Sequence, residues 1–453
     1  MKAARDPERF GEDAMKVRQP LTILMMLALA TPPSFAGEDI RMTSEDVRNG
    51  NIRKGEVWSA PSWIKDEGQF FRFSNELNIL RGSEVTNAND LLLLPNADTG
   101  RSEVSCLMTE DTTDKFSTGK TPKFRCNLLQ TNSAGQLEEA SGKGKKIKVK
   151  YGADNGEIYG ELMGTRLLWA LGFSADRMMF IDRLLCYGCT SNPFKDRRVD
   201  TSSLQTPREF IPAAIERKHD GEAMYVNRQV KITEAGPNRH NTPPRYRTVV
   251  HEGWGFDELM TLTSENPAEA RRQKIERDAL RILSSFIQHV DNKEQNQRLT
   301  CVGDFDAEGN CLGEVKLIVQ DVGATFGRGL TTDNESSFLG INIAKARLEH
   351  WVRKPFWKEA SACRMDVGWW ANRTLKDEKA TEEGRQFLVK LLEGFSAGAE
   401  GQKRVEDLFL AAQIERRSGT IPEWVAAFNK KVHELKYPMG ANNPDFKCPK
   451  QLN

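Results

Sequence analysis

The stretch from residue 267 to 323 constrains this 453-residue chain more than any other part of it. Residues 267–288 (PAEARRQKIERDALRILSSFIQ) carry Pro267 in the first turn and apolar Ile275, Leu280, Leu283 and Ile287 on one side, a pattern that predicts a helix. Directly after it stands His289-Val290-Asp291-Asn292-Lys293-Glu294-Gln295-Asn296. Beyond a strand-like segment at 314–320 (EVKLIVQ) comes Asp321-Val322-Gly323. These residues supply a carboxylate to orient an attacking hydroxyl (Asp291), a cation to offset phosphate charge (Lys293) and oxygen ligands for Mg²⁺ (Asn296 and Asp321). Gly323 lets the backbone turn sharply after the strand.

The chain also carries an export signature. Residues 21–31 (LTILMMLALAT) form an apolar stretch too short to span a bilayer, preceded by Lys16 and Arg18 and followed by Ser34-Phe35-Ala36. Residues 1–36 therefore read as a signal peptide cut after Ala36, with Met15 an alternative initiator, and the destination is periplasmic or extracellular. All eight cysteines follow that segment, and an even count in an oxidising compartment favours disulfides. Cys301 and Cys311 are expected to pair across a hairpin, Cys106 and Cys126 between neighbouring strands, and Cys363 and Cys448 by elimination. Cys186-Tyr-Gly-Cys189 reads as a small structural bridge, with a redox-active pair as the alternative. Lys+Arg 65 against Asp+Glu 64 excludes a broadly basic nucleic-acid binder. No later apolar run is long enough for a transmembrane helix.

Short strand-like runs occupy 103–109, 123–130 and 146–151. Asp154-Asn155-Gly156 opens a helix over 157–171, ended by Gly172. Further strand-like stretches lie at 178–186 and 210–216, with Pro-rich polar loops at 190–208 and 234–247. The first loop reads as a domain boundary. Amphipathic helices are expected at 343–352, 385–396 and 403–415. Strands first and helices later predict an α+β fold.

The pattern H-x-D-x-K-x-x-N followed by D-x-G resembles the protein-kinase-like superfamily, with Val290 where that motif carries Arg. The resemblance implies a two-lobed protein-kinase-like fold, with a β-rich N-lobe over 37–190 and a mainly helical C-lobe over 191–453. It implies ATP with Mg²⁺ (or Mn²⁺) and phosphoryl transfer to an unknown protein or small-molecule acceptor. It also implies a strand lysine paired with a helix glutamate, for which Lys150 and Glu161 are the candidates and Lys148 and Glu157 the open alternatives. Glu161…Leu171-Gly172-Phe173 is similar to the E-x9-L-x-F helix of secretory-pathway Golgi kinases. Lys150-Tyr-Gly-Ala-Asp154 and Ser117-x-x-Lys120-x-Pro122 resemble segments of phosphoinositide lipid kinases.

Ser117-Thr-Gly-Lys120-Thr121 is not a Walker A loop, since Asp114 stands where that motif needs glycine, and no G-x-G-x-x-G precedes Lys150. Ser117 and Lys120 are instead candidates for a phosphate-covering loop. The segment after Gly323 is not strongly basic, which argues against a highly phosphorylated lipid head group. Alternative readings are a catalytically silent kinase-fold binding module, AMP transfer in place of phosphoryl transfer, and a CxxC redox protein. Asp304–Gly309 begins like a calcium loop, but Val315 occupies the twelfth position, so a disulfide-tied hairpin tip is expected. Asn334 and Asn372 lie in glycosylation sequons.

Overall fold

Period-two alternation of apolar residues builds the first sheet. The computed structural model describes residues 40–42, 55–60, 89, 92–93, 101–109, 121–142, 144–217, 219, 221–224, 226–232, 245–251, 253–307, 310–330, 337–338, 341–366 and 379–450. The expected signal peptide, Ser117, Lys120 and the sequons at Asn334 and Asn372 lie outside these residues.

Strands β1 (Glu103–Met108), β2 (Lys123–Thr131), β3 (Leu137–Glu139) and β4 (Lys146–Tyr151) come first. Val104, Cys106 and Met108, then Phe124, Cys126 and Leu128, then Ile147 and Val149 turn to one buried face. Helix α1 (Gly156–Ala170) follows, then β5 (Ser174–Ala175), β6 (Arg177–Ile181), β7 (Arg183–Tyr187), β8 (Arg208–Phe210) and β9 (Ala213–Arg217). The sheet runs β6-β9-β4-β2-β1-β7-β8, with β3 paired to β2. All five residues of both β6 and β9 are buried, because a core lies on each face of these strands. Met178, Phe180 and Ala214 join the α1 side, while Met179, Ile181, Ala213 and Ile215 join the other.

The boundary expected near residue 190 falls inside this sheet, since β8 and β9 continue it. Two strands expected to be continuous are each split. Residues 178–186 bend at Asp182, whose carboxylate accepts from Ser102 N at 3.0 Å. Residues 210–216 break at Ile211-Pro212, where proline has no N–H to offer a ladder.

A second sheet orders β10 (Glu222–Ala223), β11 (Gln297–Val302), β12 (Glu314–Val319) and β5. Around it pack α2 (Phe256–Thr261), α3 (Pro267–Phe286), α4 (Leu348–Arg353), α5 (Glu382–Ser396), α6 (Gly398–Ala411) and α7 (Ile421–Lys436). Asn266 caps α3 through hydrogen bonds to Ala268 N and Glu269 N, with Pro267 at the first helical position. The buried Arg277 guanidinium donates to the Leu259 and Leu262 carbonyls, satisfying the end of α2. Trp351 and Trp424 stack at 5.5 Å, and Phe326 and Phe286 meet the Trp351 ring edge-on at 5.2 and 6.1 Å.

Two expectations here need correction. The helix expected at 343–352 begins at Leu348, after a short strand over Ile341–Ala344. Helix α7 was not expected, although Thr420-Ile-Pro-Glu423 opens it with a capping box. From the expected loop at 234–247, Arg245 already belongs to a strand; residues 233–244 lie outside the described ones.

The chain divides into two compact units, 1–41 with 229–248 and 42–228 with 249–453. Three strands, Ile40–Met42, Val226–Ile232 and Arg245–His251, form a small sheet of their own. Everything else discussed lies in the second unit. Seven helices among the described residues complete a mixed α+β architecture. None of them is long and apolar enough to cross a membrane.

Four disulfides, Cys106–Cys126, Cys186–Cys189, Cys301–Cys311 and Cys363–Cys448, join all eight cysteines in the pairs the sequence suggests. They are consistent with an oxidising compartment. Cys363–Cys448 closes a loop of 85 residues, whereas Cys186–Cys189 spans 3. The loop-entropy relation gives about 4.6 kcal/mol for the first and about 1.6 kcal/mol for the second. Urea denaturation of the oxidised protein should therefore show a larger loss for the Cys363→Ser, Cys448→Ser double variant than for Cys186→Ser, Cys189→Ser. The reverse order would contradict the view that the long bridge restrains the unfolded chain.

Candidate functional site

A short turn after β4 fixes the site. Asn155 accepts from Glu157 N at 3.2 Å and donates to the Pro122 and Tyr151 carbonyls at 3.2 and 3.1 Å. That side chain pins the start of α1 to the ends of β2 and β4. Glu157 and Glu161, four residues apart, then share the face turned toward Lys150.

The Lys150 ammonium lies 2.5 Å from Glu161 Oε2, 3.2 Å from Asp321 Oδ1 and 3.3 Å from Glu157 Oε2. Lys150 is 0% exposed and Glu161 1%, against 37% for the Asp321 side chain. An ammonium so buried is tolerable only with paired anions. Burial by itself would lower the Lys150 pKa; Glu161, Asp321 and Glu157 outweigh it and hold the group well above the ordinary lysine range. Lys150, in turn, holds the Asp321 carboxyl below the usual carboxylate range against the effect of burial. At Glu161 burial wins over the opposing Lys150 ammonium and pushes the carboxyl up, with the Glu216 and Asp321 carboxylates adding to the rise.

Of the alternative assignments, Lys148 takes a different partner, pairing with Glu216 directly across β4 and β9. Glu157 does reach Lys150. It also accepts from Lys345 Nζ at 2.5 Å and Thr121 Oγ1 at 2.6 Å. Burial would raise Glu157, but Lys345 and Lys150 outweigh it and hold the carboxyl well below its ordinary value. The sequence reading missed Lys345 and Thr121, since nothing in their local spacing marks them. Thr121 directly follows the loop that holds Ser117 and Lys120.

Two polar loops run side by side next to this cluster. Backbone bonds join Phe326 N to Ile287 O at 2.7 Å, Val290 N to Ala324 O at 3.3 Å and Gln320 N to Asn296 O at 2.8 Å. Pairing of Gln297 with Val319 continues the register into β11 and β12. The loops that carry Asp291 and Asn296 are thus fastened to the segment that carries Asp321. Helix α3 ends through a left-handed Gln288 (φ 55°), with His289 N donating to Ser284 O at 2.8 Å.

Lys293 Nζ donates to Asp291 Oδ2 at 3.1 Å, and Asn296 Nδ2 donates to the Asp291 carbonyl at 2.8 Å. The second bond commits the Asn296 nitrogen as a donor and leaves Oδ1 as the acceptor of that side chain. Burial pushes the Asp291 carboxyl up, with Lys293 opposing. His289 is almost wholly buried, and that burial lowers its pKa to about 4. Trp254 is fully buried in the core.

Glycines allow the approach of these elements. A Cβ on Gly160 would lie 2.5 Å from Gly323 O, and one on Gly323 would lie 2.9 Å from Glu157 Cβ. A Cβ on Gly156 would meet Lys345 O at 2.4 Å, and one on Gly164 would meet Val322 Cγ2 at 3.0 Å. Gly156, Gly160 and Gly164 recur every fourth residue, a helical stripe that was readable in the sequence. Thr325 Oγ1 donates to the Gly160 carbonyl at 3.0 Å and holds the contact.

Among the described residues no three His, Cys, Asp or Glu side chains converge as a complete metal site. Asn296 and Asp321 offer two oxygen donors, the small protein share that suits Mg²⁺ when phosphate oxygens and water complete the shell. Cys186 and Cys189 are bonded to each other and buried. Comparison with protein-family models, curated proteins and solved structures returns no match.

Helix propensity alone predicts that Gly160→Ala stabilises α1 by about 1 kcal/mol. The contact with Gly323 predicts the opposite, a loss of about 1–3 kcal/mol from overpacking. Urea denaturation decides between them: a loss supports the close approach of α1 to the Asp321 loop, and a gain contradicts it.

Proposed function

We propose that the chain is an exported, atypical kinase-like phosphotransferase that uses ATP with Mg²⁺ (or Mn²⁺) and transfers a phosphoryl group to a hydroxyl acceptor. One observation carries this reading. Lys150 touches Glu161 and Asp321 together, while backbone bonds lay Asp291 and Asn296 against the Asp321 segment. Kinases require the strand lysine–helix glutamate pair and the metal-binding aspartate in place at once.

The topology supports the reading. Lys150 lies on the third long strand of the antiparallel run β1, β2, β4, and Glu161 on the helix directly after it, the placement that protein kinases use. The strand-rich part through β9 would form the N-lobe, which moves the boundary from residue 190 to beyond Arg217. The helical part from α2 onward would form the C-lobe. Four disulfides fit the expected leader and a periplasmic or extracellular destination.

In this reading Lys150 holds nucleotide phosphates and Glu161 holds Lys150. Asp321 and Asn296 Oδ1 hold the metal, which neutralises phosphate charge when bound. Lys123 stands across from Lys150 in the β2–β4 register; burial, Lys150 and Lys148 all lower its pKa. A polyanion relieves that crowding of cations. Asp291, its pKa raised by burial, orients the acceptor hydroxyl and receives its proton, while Lys293 balances the carboxylate.

The test is ATP turnover by the oxidised chain with Mg²⁺, water or the protein itself serving as acceptor. Asp291→Asn should lower turnover at least about 100-fold and leave nucleotide binding intact. Equal turnover in wild type and Asp291→Asn would overturn the proposed chemistry. Binding without turnover in wild type would favour the kinase-fold binding module.

A further inference from the structure

We propose that Arg166 holds a small monovalent anion of the halide class, buried against helix α1. This site is separate from the Lys150 cluster, and its ligand does not depend on the phosphotransferase reading.

Arg166 belongs to α1 and is 1% exposed. It follows Glu157 by nine residues, about two and a half helical turns, and so stands on the opposite face of the helix from that carboxylate. One turn before it come Leu162 and Met163, and one turn after it comes Ala170, all three in the main apolar core. Strand β6 and helix α6 are among the elements packed against α1. The guanidinium is thus set into the protein interior rather than at a solvated edge.

Its Nε and Nη1 are withdrawn from water and meet no acceptor among the described residues. Other deeply buried arginines are answered by the protein: Arg277 donates to the Leu262 carbonyl, Arg281 to Asp278 and Arg385 to Glu382. At Arg166 burial lowers the pKa to about 9 with no carboxylate opposing it, and the group still carries its charge at neutral pH. A buried lysine can shed its proton, whereas a guanidinium keeps its own. A lone cation in an apolar interior costs too much free energy to stand without an anion. The surroundings select that anion. A multiply charged ion would leave surplus negative charge in the core and bring a larger desolvation cost of its own. A halide matches the single charge and requires no donors in a fixed geometry beyond those of the guanidinium.

The experiment uses the oxidised full chain without nucleotide. Sodium gluconate is replaced stepwise by sodium chloride or sodium bromide at constant ionic strength, and the thermal unfolding midpoint is followed in wild type and in Arg166→Met. Halide should raise the wild-type midpoint saturably. Arg166→Met, with an apolar side chain of similar length, should lose that saturable rise and match or exceed wild type in gluconate alone. Crystals of wild type grown in bromide should show an anomalous scattering peak within hydrogen-bond reach of the Arg166 guanidinium. Absence of a saturable halide response in wild type overturns the inference, as does an equal response in Arg166→Met. Should the variant fail to fold, the bromide crystal decides: a peak at Arg166 supports the site, and a water molecule or a direct protein partner in its place overturns it.

Discussion

The Lys150 ammonium is withdrawn completely from water, and it is tolerated there because carboxylates from separate parts of the chain reach it. Glu157 and Glu161 come from one helix, Asp321 from the end of a strand far along the sequence. Removing the cation would leave three anions close together in a partly dry site, and removing the anions would leave a buried charge unpaired. Each of the surrounding elements is therefore placed by the need to satisfy this group. Strand β4 presents the lysine, Asn155 fixes the helix start, and the second sheet delivers Asp321.

Delivery depends on backbone rather than on side chains. Gly160 and Gly323 let a helix and a loop meet at a distance no other residues permit, and Thr325 ties them. The loop after α3 is then zipped to the same segment by main-chain bonds at residues 287, 290 and 296. The aromatic group of Phe286, Phe326, Trp351 and Trp424 lies directly behind this zipper and stiffens it. Asp291, Asn296 and Asp321 are in this way carried by one hydrogen-bonded frame, the positioning that the proposed phosphoryl transfer would require.

What was legible in the sequence followed from local chemistry. Spacing alone picked out Asp291, Lys293, Asn296 and Asp321, and the geometry brings them together. Lys150 and Glu161 were legible as types; separating Lys150 from Lys148 needed the register of β4 with β9, where Lys148 finds Glu216, while Glu157 stays in contact with Lys150 beside Glu161. Cysteine pairing was readable because hairpin and strand neighbours leave few options. The split at Pro212 was missed because apolar composition continues through it, and the split at Asp182 was missed although the charged Asp182-Arg183 pair interrupts the apolar run there. Lys345 and Thr121 escaped notice because their meeting at Glu157 joins residues remote in sequence. Helix α7 was overlooked although Thr420 and Glu423 spelled its start.

The central claim is that Lys150, Asn296 and Asp321 form one nucleotide–metal site. Thermal unfolding of the oxidised protein tests it, with ATP alone, with ATP and Mg²⁺, and in an Asp321→Ala variant beside wild type. Ligand at about one hundred times its dissociation constant adds about 2.7 kcal/mol to the folded state, a readable rise in midpoint. The account predicts a rise in wild type that grows with Mg²⁺, and loss of the metal-dependent part in the variant. No rise with either, or an equal metal-dependent rise in Asp321→Ala, would contradict it.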